Sequence, residues 1–434
     1  MKYLVEHGAD INRGNNNGAT PLIISCQKGY IEVIKYLVEH GADVNKGINN
    51  GATPLFIACQ KGHIDVIKYL VEHGADINKT NNDDVTLLYI ACQKGHEDIV
   101  KYLVEHGLDI NKEDNEGWTP LISACENGHV EIVKYLMEHG ADINKGNNNG
   151  TTPLYIACQN GHENIVKYLV EHGADVNKVN NDGRTSLYIA SQNGHVSIVK
   201  YLEEHGADIN KEDNEGSTPL FIACQEGQAN VVKYLVEHEA DINKKINNSW
   251  TPFFIACQNG HEDIVKYLVE SGADINKEIN DNLTPLYISC QEGHENIVKY
   301  LVEYGANIDK EDNEGWTPLF SACYNGHENI VKYLVKNKAN INKENNEGWT
   351  PFFFACQNEN FNIVKYLVEL GININKENKD GISPLFIACE NGNENLIEYL
   401  IKQGAYLNKQ SIITYNSKIV KIFQDFENEK RKLV

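Results

Sequence analysis

Apolar residues in this chain fall in two short clusters that recur every 33 residues. The clearest copy is residues 147–179, NNNGTTPLYIACQNGHENIVKYLVEHGADVNKV. The run Pro153-Leu-Tyr-Ile-Ala-Cys-Gln-Asn predicts a helix. Thr152 is a good N-cap, and Pro153 suits the first helical position, where a missing N–H costs nothing. Gly161 can take the left-handed conformation that ends it. Glu163 opens a second helix, placing a carboxylate at the positive end of the dipole. That helix carries Ile165, Val166, Tyr168, Leu169 and Val170 and ends at His172-Gly173. On a 3.6-residue wheel these residues cover more than half the circumference, which requires burial on more than one side. A lone helix pair cannot provide that, whereas a stack can. The polar run after Gly173 is turn-forming and leads into the next threonine cap.

The threonine of the Thr-Pro-Leu step stands at Thr20, Thr53, Thr86, Thr119, Thr152, Thr185, Thr218, Thr251, Thr284, Thr317 and Thr350, and Ser383 closes the series. These positions number copies one to twelve. A period of this size without slippage is the signature of a stacked repeat array, in which each unit contacts only its neighbours.

The motifs TPLxxA and GHxxIVxxLxxxGADxN at this spacing closely resemble the ankyrin repeat, over residues 1 to about 408. One departure is systematic. The family's usual His after TPL is replaced by an apolar or aromatic residue in every copy, from Ile23 to Phe386. The resemblance implies an all-α helical repeat solenoid, elongated and curved, with helix-turn-helix pairs, projecting turn fingers and a concave binding face. It implies no enzymatic activity. It also makes Asn78, in Leu70-Val-Glu-His-Gly-Ala-Asp-Ile-Asn, similar to ankyrin sites modified by asparaginyl hydroxylases.

Three segments follow: 1–14, a partial repeat holding only a second helix; 15–410, twelve repeats; and 411–434, a capping helix with a charged tail. With roughly 8–10 Å per layer, twelve layers give a body on the order of 100–120 Å. A net charge of −22 argues against nucleic acid or an anionic membrane as the main partner. A basic or neutral protein with an apolar anchor fits better. No apolar run reaches the length of a membrane span, and Met1-Lys-Tyr-Leu-Val-Glu-His is no signal peptide. The eleven cysteines all occupy one repeat position, with Ser191 filling the gap. Neighbouring copies of that position lie beyond the roughly 7 Å Cα limit of a disulfide. Reduced thiols fit an intracellular, cytoplasmic monomer.

Irregular copies stand out. The chain starts in mid-unit, as a fragment or a late-starting gene model would, and its first helix is expected to fray. Copy three has Asp84 for the turn glycine and Leu87 for proline. Copy six has Ser186, Ser191 and Glu203, the last a polar residue at an edge expected to be buried, which predicts a soft hinge. Glycines are lost at Glu239, Lys338 and Glu359. After the repeats, Ile419, Ile422, Phe423 and Phe426 at helical spacing predict a helix that caps the last layer or binds a partner. The many turn asparagines read as solvated loop.

Catalytic and cofactor chemistry finds no foothold. The sixteen histidines sit at two repeat positions. HExxH fails because Val100 follows His96 at the fourth place, and no phosphate loop, nucleophile elbow or paired zinc cysteines occur. Lys28, Lys61 and Lys94 form at most a small basic patch on a solvated face. The residue before the threonine varies most. It is Trp118, Trp250, Leu283, Trp316, Trp349 and Ile382 in copies four and eight to twelve, and every tryptophan is at this one position. Tyr324 replaces the usual Gln or Glu nearby. Aromatic groups on a rigid scaffold are common binding anchors; the same rings could instead pack finger on finger and stiffen the array. Two functions follow. One is a non-enzymatic scaffold or adaptor that binds a protein through the fingers and concave face of the C-terminal repeats. The other is a structural spacer, or a piece of a larger protein whose activity lies elsewhere.

Overall fold

A computed structural model describes residue 3 and residues 6–246 and 249–406. The readings for 411–434 and for residues 2, 4 and 5 of the first helix lie outside them. The chain divides into two compact units, Met1–Pro219 and Leu220–Val434. Among the described residues both are built only from α-helices and one 3-10 turn, Asn280–Asn282.

Each copy contributes a first helix of seven or eight residues, such as Pro153–Asn160, and a second of nine, such as Glu163–Glu171. Helices this short are marginal alone in water, so their stability comes from stacking. The threonine caps form as expected in most copies: Thr152 Oγ1 accepts the N–H of Tyr155 at 3.1 Å, and Ser383 Oγ that of Phe386 at 3.2 Å. First helices pack on their counterparts before and behind more closely than second helices do.

That arrangement corrects the burial expected of the second helix. Ile165, Val166 and Leu169 are fully buried, but Tyr168 and Val170 are only half-buried. The first helix is the one buried on several sides, with every residue from Pro153 to Cys158 inside. Glu203 occupies the Val170 position and is likewise half-buried, inside an intact helix Val196–Glu204. Ser191 Oγ donates to the Leu187 carbonyl at 2.7 Å. The edge at Glu203 is thus only half-buried, whereas Ser186 Oγ of the same copy is buried without a hydrogen-bond partner.

All eleven thiols are free and buried. Burial raises their pKa, to about 12 at Cys26 and Cys389.

The backbone keeps its course where the glycines are lost. Asp84, Ser249 and Asn282 at the finger glycine, Glu359 at the end of a first helix, and Glu239 and Lys338 at the end of second helices all have φ between 58° and 70°. Left-handed φ costs an L-residue roughly 1–2 kcal/mol. Stacking on neighbouring copies imposes it regardless.

Candidate functional site

Asn or Asp side chains fix most fingers: Asp114, Asp312 and Asn345 accept the backbone N–H of Trp118, Trp316 and Trp349 at 2.9, 2.8 and 2.8 Å, whereas the Trp250 finger has Ile246 at that position. In copy five the buried Asn147 closes the turn. Its Oδ1 accepts the N–H groups of Asn149 and Thr151, both at 3.0 Å, and its own N–H donates to the Thr151 carbonyl at 3.1 Å. The neighbouring Asn148 ties this finger to the one before it, through N–H to the Glu116 carbonyl (3.0 Å) and Nδ2 to the Asn115 carbonyl (3.1 Å). Lower down, Asn45 spans two copies: Nδ2 donates to the Gly74 carbonyl at 3.0 Å, and Oδ1 accepts the Asp76 N–H at 2.8 Å. These asparagines are structural joints rather than solvated loop, which corrects the sequence reading. Asn78 and Asn342 lack this pair of bonds, and there Leu108 and Ile372 replace the usual alanine. Asn243 lacks it too, beside an ordinary Ala273. Asn78 is exposed.

Both histidine sets are also structural. His162 Nε2 donates to the Glu126 carbonyl at 3.0 Å, capping the first helix of the preceding copy. His172 Nδ1 donates to the Tyr168 carbonyl at 2.7 Å while its ring stacks on Tyr168, centroids 3.9 Å apart. Among the described residues no group of three His, Cys, Asp or Glu could hold a metal ion.

The aromatic residues do not form the even strip that their spacing suggested. Trp118 is half-buried in its own finger. Trp250 packs on Phe254 of its own copy at 5.6 Å. Leu283 and Ile382 are half-buried flanking residues. Copies ten and eleven differ, because there the rings converge. Trp316 lies over Phe354 of the next copy at 4.4 Å and against its own Phe320 at 5.6 Å. Tyr324 meets both Trp316 and Phe354 edge-on, at 6.0 and 5.9 Å. Trp349 rests on Phe353 at 3.8 Å and reaches Phe354 at 6.3 Å. Phe320 is fully buried, the two indoles are half-buried, and Tyr324 is 43% exposed. The rings thus pack finger on helix rather than finger on finger.

Phe354 is the hub, and the sequence reading missed it. A signal existed: every other copy has Ile or Ser at that position, from Ile24 to Ile387.

The same two copies break a local rule. Thr317 and Thr350 make no side-chain cap bond, and Thr317 Oγ1 is buried without a partner. An orphaned buried hydroxyl costs about 1–3 kcal/mol.

Charge around the cluster is sorted by height. On the finger stalks Glu278, Glu311 and Glu344 pair with Lys310, Lys343 and Lys376 of the following copy, at 2.7, 2.6 and 2.9 Å. At the exposed tips stand Asp281, Glu314, Glu347 and Asp380, with no ion-pair cation among the described residues. Glu347 Oε2 accepts the Trp349 indole N–H at 2.7 Å.

No described helix is long and apolar enough to cross a membrane. A comparison with curated proteins finds no match. A family model described as ankyrin repeats in three copies matches six successive stretches, 1–81, 78–147, 144–213, 206–279, 276–345 and 338–411. Those stretches follow the threonine-capped helix pairs, left-handed glycines and hydrogen-bonded fingers described above: the chain belongs to the ankyrin repeat family.

Proposed function

We propose that this chain is a non-enzymatic scaffold or adaptor that binds a protein partner through the fingers and first helices of its C-terminal copies. Copies ten and eleven supply the anchor, with Trp316, Tyr324, Trp349 and Phe354 at its centre and Leu283, Ile382 and Trp250 outside it. The partner is basic or neutral and brings an apolar side chain. One observation carries this reading: Tyr324 and Phe354, each the only aromatic residue of its repeat position, meet at 5.9 Å on the same tryptophan. The absent caps at Thr317 and Thr350 support it, since departures from local rules concentrate at functional sites.

A second reading, a stiff spacer, draws on the half-burial of Trp316 and its stacking on the next copy. A photo-crosslinking amino acid placed at Tyr324 separates the two. A binding site captures a defined protein from lysate of the source cells at position 324. The same probe at Gln159, the equivalent position of copy five, does not. Equal capture at both positions, or none, favours the spacer.

A further inference from the structure

Resting on that docking surface, we propose that its occupant is a polyproline II segment carrying Lys or Arg at every third residue. Its cations lie on the finger tips and its apolar residues on the Trp316 and Tyr324 rings.

The charge pattern selects a cation. The stalk carboxylates of these copies are already neutralised by lysines, whereas the tip carboxylates of Asp281, Glu314, Glu347 and Asp380 face solvent without one. Lys379, at the last of these tips, turns its ammonium to the Asn346 carbonyl at 2.7 Å. Aromatic faces beside carboxylates favour cationic groups twice over, by charge and by the ring quadrupole.

The spacing selects the backbone. Adjacent tips are locked together by Asn313 N–H to the Asp281 carbonyl (3.0 Å), Asn346 N–H to the Glu314 carbonyl (2.9 Å) and Lys379 N–H to the Glu347 carbonyl (3.1 Å). The tip carboxylates therefore repeat once per layer, about 8–10 Å. A polyproline II helix has three residues per turn and rises about 3.1 Å each, so residues i, i+3 and i+6 share one face about 9 Å apart. A β-strand alternates faces and does not match this period.

The test uses the full chain and three labelled synthetic peptides, followed by fluorescence anisotropy at physiological salt. The first repeats Pro-Pro-Arg four times, the second has the same composition with its arginines contiguous, and the third has Gln for Arg. The spaced peptide is expected to bind at least about tenfold tighter than either control and to weaken about tenfold on Glu314→Gln/Glu347→Gln. Tyr324→Gln, which restores the residue of other copies at an exposed position, is expected to weaken it as well. No binding, or equal binding of the spaced and contiguous peptides, overturns the proposal. Binding that falls with Tyr324→Gln but ignores the Glu→Gln pair leaves the docking surface standing and removes the basic occupant. Binding that ignores Tyr324→Gln removes the docking surface itself.

Discussion

His294 sits directly over Gly260. Its Nε2 donates to the Gln258 carbonyl at 2.8 Å, and a Cβ on Gly260 would lie 2.5 Å from its Cε1. The glycine thus serves two ends: it turns the backbone at φ 80° and leaves room for the imidazole that caps its helix. Gly272 turns at φ 96° with nothing within 4 Å of the corresponding point. Gly272→Ala is expected to cost about 1–2 kcal/mol. Gly260→Ala should cost a further 1–3 kcal/mol or so from overpacking. Urea unfolding of the two variants measures the difference, and equal losses would mean that the histidine yields freely.

The non-glycine residues held at positive φ offer stabilising changes. Glu239→Gly, Lys338→Gly and Glu359→Gly should each relieve left-handed strain, less the entropy that glycine adds to the unfolded chain, for a net gain of about 0.5–1 kcal/mol. Thermal denaturation of the triple variant checks this; an unchanged or lower midpoint counts against stack-imposed strain.

Asn45 and Asn78 occupy the same repeat position with different work to do. Asn45→Ala removes two bonds between copies and is expected to cost about 1–3 kcal/mol. Asn78→Ala removes neither, because Asn78 makes only a backbone N–H bond to Asp76. Its cost should stay within about 0.5 kcal/mol. Hydrogen exchange at the Gly74–Asp76 amides gives a local readout of the first change.

Trp316 and Phe354 belong to different copies and stack at 4.4 Å. A double-mutant cycle with Trp316→Leu and Phe354→Ile should give a coupling of about 0.5–1.5 kcal/mol. A coupling near zero would leave the cluster without energetic content.

Alkaline pH should weaken the fold. In the unfolded chain thiols titrate near 9.0, while burial holds those of the folded chain higher, at about 12 for Cys26 and Cys389. Above pH 9 the unfolded state therefore binds fewer protons, and stability must fall as pH rises. The urea midpoint should be flat up to about pH 8 and lower at pH 10. Cys26→Ser/Cys389→Ser should lessen the drop, Ser191 showing that the position accepts a hydroxyl.

The sequence alone determined what is local and repeated. Thr152-Pro153, Gly161 and Glu163 set the ends of two helices, because caps, fixed φ and dipole act within a few residues. The unbroken period made a stack the natural way to bury their apolar faces. Only the tertiary structure decided what depends on the next copy. Whether Asn45 bonds across a joint while Asn78 does not is settled by residues some 30 positions further on. That Glu239 bends like a glycine follows from neighbours that fix the chain's path, against its own preference. The convergence of Trp316, Tyr324 and Phe354 is of the same kind. Sequence spacing gave each ring a layer, but side-chain direction and depth, set by packing between layers, drew these rings together and left Trp250 beside its own Phe254.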